Sequence, residues 1–163
     1  MPYRITLGSA AVVAGLAMAA LLPAGPATAV TINPFASIIG KWAGSGIMTM
    51  RDGTRERIAC EAEHSGNALQ LRLVIRCLSG ERDIRMVARL SSNAGRLLGF
   101  WEEKYFSAAG AISGIATENK ISFTVSGNVN GAMEVAYSKT RQQVSIRTRD
   151  VPLKSLEIDM KRR

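Results

Sequence analysis

After about residue 30, apolar and polar residues alternate with a period of two, as a strand with one dry and one wet face requires. Leu69, Leu71, Leu73, Ile75 and Cys77 share one face, against Gln70, Arg72 and Arg76, with Val74 the one apolar residue on the polar side. Ile84, Met86, Ala88 and Leu90 repeat the pattern against Arg85 and Arg89. It returns in Ile121, Phe123 and Val125, in Met133, Val135 and Tyr137, and in Leu156, Ile158 and Met160. Turn-forming clusters separate these runs: Asp52-Gly53, Ser65-Gly66-Asn67, Ser79-Gly80, Asn93-Ala94-Gly95, Ser107 to Gly110, Glu118-Asn119, Gly127 to Gly131, Ser138 to Thr140 and Asp150-Val151-Pro152. A spacing of roughly 10 to 14 residues predicts eight to ten short antiparallel strands joined by hairpins and leaves no room for helical crossovers.

A meander with one apolar face must hide that face, by closing on itself or by folding into two packed layers. Short connections throughout favour closure, because sandwiches usually need a long crossing. The fold expected is therefore all-β, a closed antiparallel up-and-down barrel of eight to ten strands. Ahead of it, Asn33-Pro34-Phe35-Ala36-Ser37-Ile38-Ile39-Gly40 sets an N-cap type, a proline and a closing glycine at the positions of a short helical turn.

The first 29 residues follow another logic. Arg4, an apolar run from Ile5 to Leu22 and the small-residue exit Ala27-Thr28-Ala29 form a secretory signal, with cleavage expected before Val30. The alternative is an uncleaved anchor, but Gly8, Ser9, Gly15 and the Pro23 to Pro26 breaker interrupt the run. The organisation expected is a signal peptide over 1–29 and a single barrel domain over 30–163, a length that suits one core and not two. The mature protein is then expected to be periplasmic or secreted without a transmembrane anchor; the residue directly after the expected cleavage site is Val30, not a cysteine that could carry a lipid.

Losing Arg4 leaves 20 Lys and Arg against 13 Asp and Glu, a charge of +7. That charge favours anionic partners and also simply keeps a protein in solution. Cys60 and Cys77 are the two cysteines, and in an oxidising compartment they are expected to pair. The bridge closes a loop of about 18 residues, worth about 3 kcal/mol in the chain-entropy model. It also constrains register. A tight turn on Gly66-Asn67 would oppose Cys60 to Leu73 and leave Cys77 about 13 Å along the strand, so a wide loop from about His64 to Gln70, with Cys60 opposite Cys77, is expected instead. Two cysteines and one histidine at these spacings supply no metal site, and no cofactor motif is present.

Gly40-Lys41-Trp42, directly after the helical turn and at the start of the first strand, resembles the opening of the calycins, the lipocalin, avidin and fatty-acid-binding group of barrels. The resemblance implies that Trp42 packs under the closed end, with a basic residue from near the C-terminal strand, Arg147 or Arg162, across its ring. The chain also resembles small exported barrels of Gram-negative bacteria in which a Cys-bearing hairpin precedes a Gly-x-Trp-Glu strand. Here those residues are Cys60, Cys77, Gly99, Phe100, Trp101 and Glu102. It is similar in plan to small periplasmic protease inhibitors with one disulfide, whose cysteine spacing differs.

Candidate ligand-binding or barrel-closing residues are Trp42, Phe100, Trp101 and Glu102. Trp42 is most simply a core plug, and Gly44 and Gly46 beside it most simply let the strand bend. If Phe100 faces inward, Glu102 becomes a buried carboxylate beside an aromatic and a functional candidate; the alternative inward face is Leu97, Gly99 and Trp101. Arg57, Arg72, Arg76, Arg85 and Arg89 are expected on one outer face. They could dock an anionic envelope component or simply pair with Glu61 and Glu63 across strands. His64 falls in an expected turn without an acid or nucleophile near it in sequence.

Three readings follow. The first is a non-enzymatic barrel that holds a small apolar or amphipathic ligand in its interior, with Trp42 closing one end and no nucleic-acid partner; an interior packed solid would end it. The second is a protein-interaction module, such as an inhibitor of a secreted hydrolase or a cell-envelope binding domain. The third, an enzyme, rests on Glu102 or Glu103 alone.

Overall fold

The computed structural model describes residues 33–163; the expected signal peptide lies outside the described residues. Ten strands alternate with short connections: β1 (Gly40–Met50), β2 (Arg55–Gly66), β3 (Gln70–Ser79), β4 (Arg82–Asn93), β5 (Arg96–Glu103), β6 (Ala108–Ala116), β7 (Lys120–Gly127), β8 (Gly131–Tyr137), β9 (Arg141–Thr148) and β10 (Leu153–Arg162). Each pairs antiparallel with its neighbour in sequence, and β1 pairs with β10, so the sheet is a closed up-and-down barrel. Closure removes both sheet edges, which answers the burial problem posed by a one-faced meander.

The segment before β1 is a hydrogen-bonded turn over residues 34–38, in which the amides of Ile38 and Ile39 donate to the Phe35 carbonyl. Phe35 and Ile38 are fully buried and extend the barrel core at that end.

Cys60 and Cys77 form a disulfide and stand directly opposite each other in register. The wide loop expected between them is not present. β2 continues to Gly66, and a tight turn over Asn67 to Gln70 closes on Asn67 N–H to Gln70 C=O at 2.8 Å. The Asn67 side-chain oxygen accepts the amides of Leu69 and Gln70, both at 2.9 Å. An Asx turn that starts at Asn67 and is centred on Ala68-Leu69, two residues beyond a turn centred on Gly66-Asn67, thus gives the register that the bridge demands. Leu69, placed by alternation on the inner face, is exposed in this turn.

The β5–β6 connection also shifts. It occupies Lys104 to Ser107 rather than Ser107 to Gly110, and Gly110 lies inside β6 opposite Trp101. Gly44 permits close approach of neighbouring backbone: it pairs with both Cys60 and Met160, and a Cβ there would fall 1.8 Å from the Asp159 carbonyl oxygen.

Candidate functional site

The two ends of the barrel differ. At the first, β1 begins with Trp42, fully buried, whose indole N–H donates to the Ile38 carbonyl at 2.8 Å. The Arg162 guanidinium carbon lies 4.2 Å from the centroid of the Trp42 ring. Of the two arginines that the calycin resemblance offered, the cap is therefore Arg162. Arg147 is exposed near the opposite end, 3.9 Å from Glu157. Arg162 also donates to the carbonyls of Ser37, Ile39 and Lys139, tying the leading turn to the β8–β9 connection. The Tyr137 hydroxyl, with its single proton, donates to the Pro34 carbonyl and lies 3.1 Å from that of Thr117, and burial raises its pKa to about 12.

His64 lies in β2, not in a turn, and points into this closed end in phase with Cys60 and Ala62. Its Nε2 is 3.2 Å from Gln142 Oε1, and its Nδ1 accepts the Val74 amide at 3.4 Å. The tautomer that satisfies both carries its proton on Nε2. Loss of hydration on burial holds its pKa at about 4, only partly offset by the Gln142 hydrogen bond.

The middle of the barrel is filled. Ile58, Leu73, Ala88, Ile112, Phe123, Met133, Val144 and Ile158 belong to one continuous core and leave almost no surface open to water, which a hollow lumen would do. The far end is less fully covered: Met50, Ile84, Met86, Val125, Val129, Ile146 and Leu153 pack against the core yet stay partly exposed, an apolar rim at that end.

Polar groups interrupt that rim on one side. Glu56, in phase with Ile58, accepts from Ser79 Oγ at 2.6 Å and pairs with Arg82. Those hydrogen bonds, Ser79 first and Arg82 second, hold its pKa below the ordinary carboxylate value. Trp101 projects inward and is 7 % exposed, and its indole N–H has no hydrogen-bond partner among the described residues. The ring lies over Gly110, where a Cβ would come within 3.1 Å of the indole nitrogen. Glu103 is the inward carboxylate of β5. Its oxygens accept the amides of Arg85, Tyr105 and Phe106, which fixes the β5–β6 turn at the rim.

The inward face of β5 is therefore Leu97, Gly99, Trp101 and Glu103. Phe100 and Glu102 project from the outer wall, Phe100 half exposed, so of the two inward faces weighed for β5 the one with Leu97, Gly99 and Trp101 is present and Glu102 is not a buried interior carboxylate. The physical reason is cross-strand fit: Trp101 faces Ala88 on β4 and Gly110 on β6, small residues that leave room for an indole. Trp42 and Trp101 remain interior residues, one at the closed end and one below the apolar rim. Arg57, Arg72, Arg76, Arg85 and Arg89 are all exposed on the outer wall. Arg72 faces Arg89 and Arg76 faces Arg85, whereas Arg57 sits four residues along β2 from the Glu61 that opposes Arg76.

Glu56, missed in the sequence, carried a usable signal, since it continues the phase of Ile58; the phase of Leu156, Ile158 and Met160 likewise favours Arg162 over Arg147. Among the described residues no group of His, Cys, Asp and Glu could hold a metal ion, and no helix is long and apolar enough to cross a membrane.

Fold and closure together define a ten-stranded, closed antiparallel up-and-down barrel. Its structure is similar to that of Rv2717c from M. tuberculosis, with a TM-score of 0.64 and 12% identity, covering 83% of this chain and 98% of that one. It is also similar to the S-type phycobiliprotein lyase CPES from Guillardia theta, with a TM-score of 0.50 and 9% identity, covering 79% and 89%. At these identities the likeness is one of fold. No protein-family model matches the chain, and no curated protein sequence does.

Proposed function

We propose that this protein is an exported, non-enzymatic binding barrel of the Gram-negative periplasm or extracellular space, cleaved before Val30, that takes a small apolar or amphipathic ligand at its apolar rim. The observation that carries the reading is the asymmetry of the barrel. One end is sealed by Trp42 and Arg162, while the other leaves a rim of apolar side chains partly exposed above a buried indole N–H without a partner. Partly exposed apolar walls with a few polar groups are what a pocket for an amphipathic molecule needs. The filled middle overturns the expectation of a ligand held in the interior; the reading that remains is a ligand at the rim, its apolar part against Met86 and Ile146. The disulfide suits an oxidising compartment. The lyase CPES shares the barrel plan, and its name places a barrel of this shape in the handling of a phycobiliprotein.

A protein-interaction module also has a filled interior and is the second reading; the partly exposed apolar rim favours the ligand. The enzyme reading loses its residues, since Glu102 faces outward and both oxygens of Glu103 are engaged by backbone amides.

The test is native mass spectrometry of protein purified from an exporting host, followed by titration with a fluorescent apolar probe. Met86→Arg and Ile146→Arg are expected to weaken probe binding at least about tenfold, the scale of one lost apolar contact plus a misplaced charge. Protein that carries no small molecule, with probe binding indifferent to both substitutions, would sink the reading.

A further inference from the structure

On the outer wall of β3 and β4 the register sets arginine against arginine, Arg72 opposite Arg89 and Arg76 opposite Arg85, with Val74 opposite Val87 between them. Like charges directly opposed on one sheet face destabilise it. Only Arg76 is neutralised, by Asp83 at 2.6 Å. Arg72 and Arg89 form no ion pair among the described residues. The acids nearest in register do not relieve them: Glu61 pairs with Arg163 at 2.9 Å, and Glu63 and Glu102 reach no arginine of this wall.

An apolar strip adjoins this uncompensated charge. Phe100 on β5 faces Arg89, Leu98 lies two residues along the same face, and Ile115 on β6 faces Arg96. Leu98 is 63 %, Phe100 50 % and Ile115 62 % exposed, and Arg96 is exposed with no ion pair among the described residues. Scattered apolar residues on a surface need no explanation, but three adjacent ones edged by unpaired arginines do.

We infer that this wall of β3 to β6 docks on an anionic phospholipid surface, with Leu98, Phe100 and Ile115 entering the acyl boundary and Arg72, Arg89 and Arg96 on lipid phosphates. Charge complementarity and shape select this occupant. A barrel wall is convex, so its apolar side chains protrude, which suits insertion into a deformable bilayer interface better than fitting a rigid protein face. The arginines stand at the margin of the apolar strip, where headgroups lie when such side chains are inserted. An aqueous polyanion would leave the strip exposed.

The experiment is vesicle co-sedimentation of the purified protein, its N-terminus defined by intact mass, with neutral phosphatidylcholine and with phosphatidylcholine containing phosphatidylglycerol. Binding is expected to the anionic vesicles and to weaken with salt. A basic residue near an anionic surface changes partition about fivefold, so R72Q/R89Q lowers it about 25-fold. L98S/F100S lowers it further, while R141Q/K161Q, which removes the same charge elsewhere on the barrel, leaves it unchanged. Melting curves establish that each variant is folded.

Absence of binding to anionic vesicles overturns the inference. So does equal binding to neutral vesicles that ignores the arginines, which assigns attachment to the apolar N-terminal segment. A dimer in solution that L98S/F100S dissolves gives the strip to a second copy, and sensitivity to R141Q/K161Q equal to that of R72Q/R89Q reduces the effect to net charge. Either result also ends the assignment.

Discussion

Trp42 and Arg162 are opposite each other at the end of the β1–β10 register, where the barrel closes, and the guanidinium covers the indole ring. The first and last strands thus meet at one cation and ring contact, which also carries three hydrogen bonds to backbone carbonyls around the closed end.

Replacing Arg162 therefore tests the seal. Arg162→Ala is expected to cost about 2 kcal/mol, from a cation–π contact and hydrogen bonds that are partly solvated. Arg162→Lys recovers only part of this, because an ammonium cannot span three carbonyls. Urea unfolding checks both, and an alanine variant as stable as the parent removes the seal.

The disulfide joins β2 to β3 across a sequence separation of 17. Its loss in C60S/C77S is expected to lower stability by about 3 kcal/mol through the freer unfolded chain, with the barrel retained. Equal denaturation midpoints for the parent with and without reductant would count against it.

His64 makes stability depend on pH. Its folded pKa of about 4 lies below the unfolded value of 6.5, so the unfolded chain binds the extra proton first. The stability of its neutral, buried form is complete above pH 6.5 and is lost as pH falls towards 4, by at most about 3 kcal/mol. Thermal melts of the parent should fall more steeply over that window than those of His64→Gln. Parallel pH profiles would refute the assignment.

Glu103 fixes the rim. Glu103→Ala leaves the amides of Tyr105 and Phe106 without their acceptor, at about 1 to 3 kcal/mol where they are shielded from water. Hydrogen exchange at residues 104–107 is expected to accelerate while the closed end keeps its protection. Unchanged exchange at this turn would show that the carboxylate does not hold it.

The order of apolar and polar residues determined that the chain makes short antiparallel strands that close into a barrel, and the expected disulfide, against the turn reading, that Cys60 faces Cys77. Alternation, turn residues and covalent geometry act locally, so they are legible in one dimension. The tertiary structure alone decided the face of β5. Both phases there carry an aromatic and a glutamate, and only the small partners Ala88 and Gly110 on adjacent strands select Trp101 and Glu103 as the inner pair. It also chose Arg162 over Arg147, buried His64 in a strand, and set the apolar rim opposite Trp42. Each of these depends on which residues meet when distant strands pair, and that is a property of the closed sheet rather than of any segment.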